Sequence, residues 1–192
     1  MHIRAALMMR LTMLIALPAC TGLPRAAPHE VLDEQSGNTL LVAAKPLVFA
    51  RERTDVAAHA RDYATLVAVE VDASGTYADY LLLYRWSTVD PRMMRQPDPN
   101  AGEMRIVADG RAIDLPPMAR VPVSLSRRRV MHFPEHGDVI VHAYPIGIDT
   151  LRFIAMSREV TVRLPKEPLE TPFRLWEDGR FSLRQFLERA GP

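Results

Sequence analysis

The chain has 192 residues but only one cysteine and two lysines. A lone thiol, at Cys20, cannot close an intramolecular disulfide or build a cysteine zinc cluster. The two lysines, Lys45 and Lys166, leave few amines for catalysis, and arginine supplies the remaining basic charge, which we read as a coding bias. With 24 basic against 23 acidic residues, the balance argues against general nucleic-acid binding. Long apolar runs are also missing. The longest charge-free stretch, Leu11 to Pro24, has 14 residues and reaches about 21 Å as a helix, whereas a spanning helix needs roughly 20 apolar residues. Later apolar runs, Leu66–Val69 and Leu81–Tyr84, are strand-length. No Gly-x-Ser-x-Gly elbow, Ser-x-x-Lys pair, glycine-rich phosphate loop, dinucleotide fingerprint or solenoid period is present. Nothing in the sequence implies a cofactor.

What is present begins at the amino terminus. Residues 1–19 read as a secretory signal: His2, Arg4 and Arg10 give a basic start, and Leu11, Met13, Leu14, Ile15, Ala16 and Leu17 an apolar core. The segment Leu17-Pro18-Ala19-Cys20 resembles the lipobox of bacterial lipoproteins, with proline a less usual occupant of its tolerant position. The resemblance covers only about the first twenty residues. It implies cleavage between Ala19 and Cys20, diacylglycerol on the Cys20 sulfur, and often a third acyl chain on the new amino terminus. Thr21 is not the aspartate that retains such proteins at the inner membrane. The implied address is therefore the outer membrane, lipid-anchored and facing the periplasm, if the host has two membranes, and otherwise the cell membrane. Once Cys20 is acylated, no thiol remains in the mature chain.

A tether and a body follow. Gly22, Pro24, Pro28 and Gly37 punctuate a segment of scattered charge, so residues 20–38 read as a lipidated amino terminus and flexible linker. At ~3.3 Å per residue, the 18 residues from Thr21 to Asn38 span at most about 60 Å. Residues 39–192 read as a single β-rich domain. Short strands are expected at Thr39–Ala43 and Leu47–Arg51. Tyr63–Val71 and Thr76–Thr88 flank Asp72-Ala73-Ser74-Gly75 and predict an antiparallel hairpin. Glu103–Ala108 and Arg111–Leu115 flank Asp109-Gly110 and predict a second. Val121–Leu125 reads as an edge strand, since Pro122 cannot donate to a central ladder. Strands are further expected at Val139–Tyr144, Glu159–Leu164 and Phe173–Trp176. Asp149 is placed to cap a helix over Thr150–Ser157, and Ser182 with Gln185 fits a capping box. The fold class is α+β: a mainly antiparallel, sandwich-like sheet with a short helix near 150–157 and a C-terminal helix near 182–190.

Candidate chemistry is sparse. On the second strand of the first hairpin, Tyr80, Leu82, Tyr84 and Trp86 share one face. Tyr80, Tyr84 and Trp86 form either sheet core or a ligand platform. His132, Glu135 and His136 cluster in one segment, and His142 follows six residues later. They are the best metal-like set, although Pro134 opposes the helix that a His-Glu-x-x-His site needs. Arg127-Arg128-Arg129 is the one sharp charge run, a solvated loop or a contact for lipid phosphates or acidic polymer. The leading functional expectation is a non-enzymatic envelope lipoprotein acting as an interaction or assembly module. Its partners would be the membrane through Cys20 and an envelope protein, not nucleic acid. A small-ligand or lipid binder using the aromatic face, and a histidine-dependent metal protein or hydrolase, are the alternatives.

Overall fold

The computed structural model describes residues 27–89, 102–126, 141–165 and 171–191. Its centre is the strand that the sequence marks most strongly. Residues Arg61–Ala73 form β4, and every residue from Asp62 to Glu70 is buried, so the strand is covered on both faces. Thr76–Ser87 forms β5 and pairs with β4 along its whole length. The two-residue link Ser74-Gly75 has φ of 56° and 89°, and Asp72 Oδ1 accepts from the Gly75 N–H at 2.6 Å. Two successive positive φ values match the right-handed strand twist, and glycine takes the second without a Cβ penalty.

The other strands are β1 (His29–Asp33), β2 (Asn38–Val42), β3 (Leu47–Glu52), β6 (Met104–Ala108), β7 (Arg111–Leu115), β8 (Val141–Pro145), β9 (Val160–Arg163) and β10 (Phe173–Glu177). Helix α1 spans Ile148–Met156 and α2 spans Arg180–Leu187. Among the described residues ten strands form one antiparallel sheet, in the order β8-β5-β4-β3-β10-β9-β6-β7, with the β1–β2 hairpin beside the second half of β4. The architecture is α+β, with the second helix near the C-terminus.

The sheet curls. Tyr144 on β8 donates its hydroxyl to the Gly102 carbonyl at 3.2 Å, joining one end of the strand path to the approach to β6. Inside the curl, Phe49, Leu66, Leu83, Met104 and Phe173 pack with Leu151 and Ile154 of α1 and Leu183 and Phe186 of α2. Each such side chain, fully buried, contributes about 1.5–3 kcal/mol. The helices therefore occupy the space that a curled sheet otherwise offers a ligand. Outside, a second cluster formed by Leu40, Val67, Val69, Leu82 and Tyr84 lies under Leu125.

Several local expectations are corrected. The segment read as tether contains β1, paired residue by residue with β2 from His29↔Val42 to Asp33↔Asn38. Asp33 holds that turn by accepting from the Ser36 hydroxyl at 2.5 Å. Only eight residues, Thr21 to Pro28, then separate Cys20 from the sheet, a reach of at most about 29 Å. Val121–Leu125 is not an edge strand. Val123–Ser126 is a 3-10 turn whose Leu125 N–H bonds the Pro122 carbonyl at 3.0 Å, because burying Leu125 on the outer cluster requires the chain to fold inward. Neither helix is capped as expected. Gly147 and Gly179 precede the helices. Asp149 lies within the first turn of α1 and pairs with Arg152 at 2.5 Å. Ser182 is buried, and its hydroxyl accepts from the Lys45 N–H at 2.9 Å, fastening α2 to the β2–β3 connection. A Cβ on Gly179 would lie 2.1 Å from the Pro46 carbonyl oxygen, so only glycine permits that approach.

Candidate functional site

Sheet register brings four side chains into one row. Arg174 faces Ala50, Ala50 faces Tyr63, and Tyr63 faces Trp86. Phe49 belongs to the interior, so by strand alternation Ala50 and its row lie on the outer face. The Tyr63 and Trp86 rings stack at 3.8 Å with 6° between their planes. Trp86 donates its indole N–H to Thr65 Oγ1 at 3.3 Å, which fixes the ring. A register break in β10 between Leu175 and Glu177 takes Trp176 out of the ladder and re-aims it. Trp176 meets Tyr63 edge-on at 6.3 Å and stays 53% exposed. The Arg61 guanidinium lies 4.7 Å over the Trp176 ring and 3.7 Å from Glu52.

Ala50, the small residue of this row, leaves a depression between Trp176, Arg61 and Arg174. The resulting groove has a volume of about 610 Å³, and Glu52, Thr54, Asp55 and Thr171 also line it. A buried ion network supports it from beneath. Asp62 accepts from Arg51 at 2.9 Å, Arg53 at 3.1 Å and the Ser87 hydroxyl at 2.8 Å. Burial alone would raise the Asp62 pKa, but hydrogen bonds from Arg51, Ser87 and Arg53 outweigh it and hold the carboxyl below the usual range. Arg53 also grips Asp55 with two bonds of 2.9 Å, which lowers the Asp55 pKa and raises that of Arg53. The Arg51 guanidinium covers the Phe173 ring at 4.3 Å. The groove thus lies over a hydrogen-bonded ion network, and its lining presents aromatic surface, guanidinium donors and carboxylate acceptors.

The aromatic residues singled out from the sequence do not act as one set. Trp86 belongs to the ladder behind the groove. Tyr84 is buried, and burial chiefly raises its pKa while the hydrogen bond to Thr65 opposes the rise. Tyr80 lies instead on a second, open groove of about 480 Å³ with Tyr77, Asp79 and Pro145. There Asp79 pairs in register with Glu70, and its Oδ1 is buried without a hydrogen-bond partner among the described residues. Burial first, and the Glu70 charge second, push the Asp79 carboxyl up to about 6. Burial also raises the Glu70 pKa, against the bond that its Oε2 accepts from the Gly191 N–H at 2.7 Å.

His142 lies on β8 opposite Leu83. His132, Glu135, His136, Arg127–Arg129, Ala19 and Cys20 fall outside the described residues. Among the described residues no group of three or more His, Cys, Asp or Glu is disposed to hold a metal ion, and no helix is long and apolar enough to cross a membrane. Sequence reasoning missed Tyr63, Trp176, Arg61 and Arg174. The pairing of Trp86 with Tyr63 follows from the short hairpin turn, so that half of the ladder was accessible from sequence; the β10 partners were not. Comparison with protein-family models, with curated proteins and with solved structures found no match.

Proposed function

We propose that this protein is a membrane-anchored envelope lipoprotein whose β-rich body is a non-enzymatic binding module, working through the outer-face groove around Trp176. The carrying observation is a half-exposed tryptophan, Trp176, held between Tyr63 and Arg61 at the rim of a formed depression. Tryptophan, tyrosine and arginine dominate the energetic centres of binding surfaces, because each buries much area and loses little freedom when already braced. The lipobox supports anchoring through Cys20, and Thr21 supports an outer-membrane address facing the periplasm. Eight residues of linker keep the groove near that surface.

Two experiments test the two halves. Palmitate labelling should mark the wild-type protein and fail for Cys20→Ser, because oxygen does not replace the thiol in thioether formation; equal labelling refutes the anchor. A photo-crosslinker at Thr171 on the groove rim should give a discrete envelope adduct in cells, suppressed by Trp176→Ala. An adduct pattern indifferent to Trp176 refutes the groove as the binding surface. A small-ligand reading is favoured by one observation, since about 610 Å³ lies within the ~300–1,000 Å³ of small-molecule sites.

A further inference from the structure

We infer that the groove takes a saccharide segment carrying a carboxylate, seated on Trp176 with its acid group on Arg174; the inference rests on the groove being the recognition surface. The charges of the site decide between ligand classes. Arg51 and Arg53 are matched by Asp55 and Asp62, and Arg61 by Glu52. Arg174 is exposed and has no ion pair among the described residues. The lining therefore offers one surplus cation rather than a basic field. A densely charged polyanion would meet Glu52 and Asp55, and a polycation would meet Arg174. A ligand of low charge density with one well-placed anion meets neither obstacle.

The uncharged part of the ligand follows from the rest of the lining. Thr54 and Thr171 carry hydroxyls that donate and accept, Arg61 donates, and Glu52 accepts. A sugar ring has the complementary pattern: hydroxyls that donate and accept around its rim, and a face of C–H groups that packs on an indole. Trp176 supplies that surface, and Ala50 supplies the clearance beside it. The guanidinium of Arg174 has the planar fork that fits a carboxylate with two parallel bonds, which a lysine would not provide. The floor is built before any ligand arrives, because the Tyr63–Trp86 stack and the Asp62 network fix β3, β4 and β5 beneath it.

The test uses the full chain purified in detergent, titrated with two acidic probes, tetragalacturonate and a hyaluronan tetrasaccharide, and with their methyl esters. The protein has two tryptophans, so Trp86→Phe leaves Trp176 as the sole indole reporter. Saturable fluorescence change is expected with at least one acidic probe, at least fivefold tighter than with its ester. Arg174→Gln should erase that preference of acid over ester. Trp176→Ala, followed calorimetrically, should weaken both at least tenfold, and Ala50→Leu should do the same by filling the floor while the tryptophan remains. Saturable binding of neither acid, equal binding of acid and ester, or binding unaffected by Trp176→Ala overturns the inference. If the probes fail while the Thr171 crosslink to an envelope protein still depends on Trp176, the binding-module reading stands and the saccharide falls. If neither depends on Trp176, both fall.

Discussion

Replacing Asp79 by asparagine should stabilise the protein at neutral pH and do little in acid. Asp79 faces Glu70 across the β4–β5 ladder, and Asp72 adds a further negative charge near Glu70. Glu70 is already engaged by the Gly191 N–H, and Asp79 Oδ1 has no hydrogen-bond partner among the described residues. The Asp79 carboxyl accordingly moves from the usual 3.8 to about 6. Between about pH 4 and pH 6 the folded protein holds a proton that the unfolded chain has released. Stability therefore falls as pH rises through that window, and the loss is complete above pH 6. At 1.36 kcal/mol per pH unit, the shift corresponds to about 3 kcal/mol. Asp79 borders an open groove, where water screens the charge, so the measurable part is about 1–2 kcal/mol. Asparagine keeps the shape, carries no charge, and offers N–H donors to Glu70. Urea unfolding of Asp79→Asn should show about 1–2 kcal/mol of added stability at pH 7.5 and under 0.5 kcal/mol at pH 3.5, below the unfolded pKa. An equal gain at both pH values, or a loss at pH 7.5, would refute the argument that ionised Asp79 is penalised in the fold. Raised Glu70 acts in the same direction, whereas Asp62, held low by its donors, loses its contribution only as the solution is acidified below about pH 4.

Three further outcomes are expected. Leu125→Ala should cost about 2–4 kcal/mol in urea unfolding, because Leu125 is fully buried on the outer cluster and its removal leaves a cavity over Leu82 and Tyr84; a cost below 0.5 kcal/mol would mean that this segment does not close the face. Gly179→Ala should destabilise by about 1–3 kcal/mol, since the new Cβ meets the Pro46 carbonyl backbone, and a thermal midpoint equal to wild type would contradict that contact. On the proposed anchoring through Cys20, Thr21→Asp should move the protein toward the inner-membrane fraction on density-gradient separation, and an unchanged distribution would show that position 21 does not set the address.

Much of the sheet was legible because it is encoded locally. The β4–β5 hairpin follows from two long runs of β-formers around Asp72-Ala73-Ser74-Gly75, and β6–β7 from Asp109-Gly110, whose φ values of 46° and 80° are those of the predicted tight turn. Helix α1 follows from the spacing of Leu151, Ile154 and Ala155, all buried on one face. Strand β1 was not legible: its Leu32 is 59% exposed, so its pattern lacks the buried alternation by which strands are recognised. Ser182 misled because a serine before an apolar turn usually caps a helix, whereas here it lies inside one and bonds a loop distant in sequence.

The sequence by itself determined the local choices: a single thiol in a segment that resembles a lipobox, the positions of the hairpin turns, the apolar stripe of each helix and the placement of Trp86 on one strand face. These depend on backbone sterics and on periods of two or 3.6 residues, which neighbouring residues alone express. The tertiary structure decided what those elements meet. Tyr63, Arg61, Ala50, Arg174 and Trp176 come from three strands, and only the pairing of β3 with both β4 and β10, together with the break after Leu175, sets them around one groove. A one-residue slip in either pairing would turn Ala50 or Arg174 to the other face. That register is settled by the interior packing of Phe49, Phe173 and the two helices, so the groove on the outside is a consequence of the core on the inside.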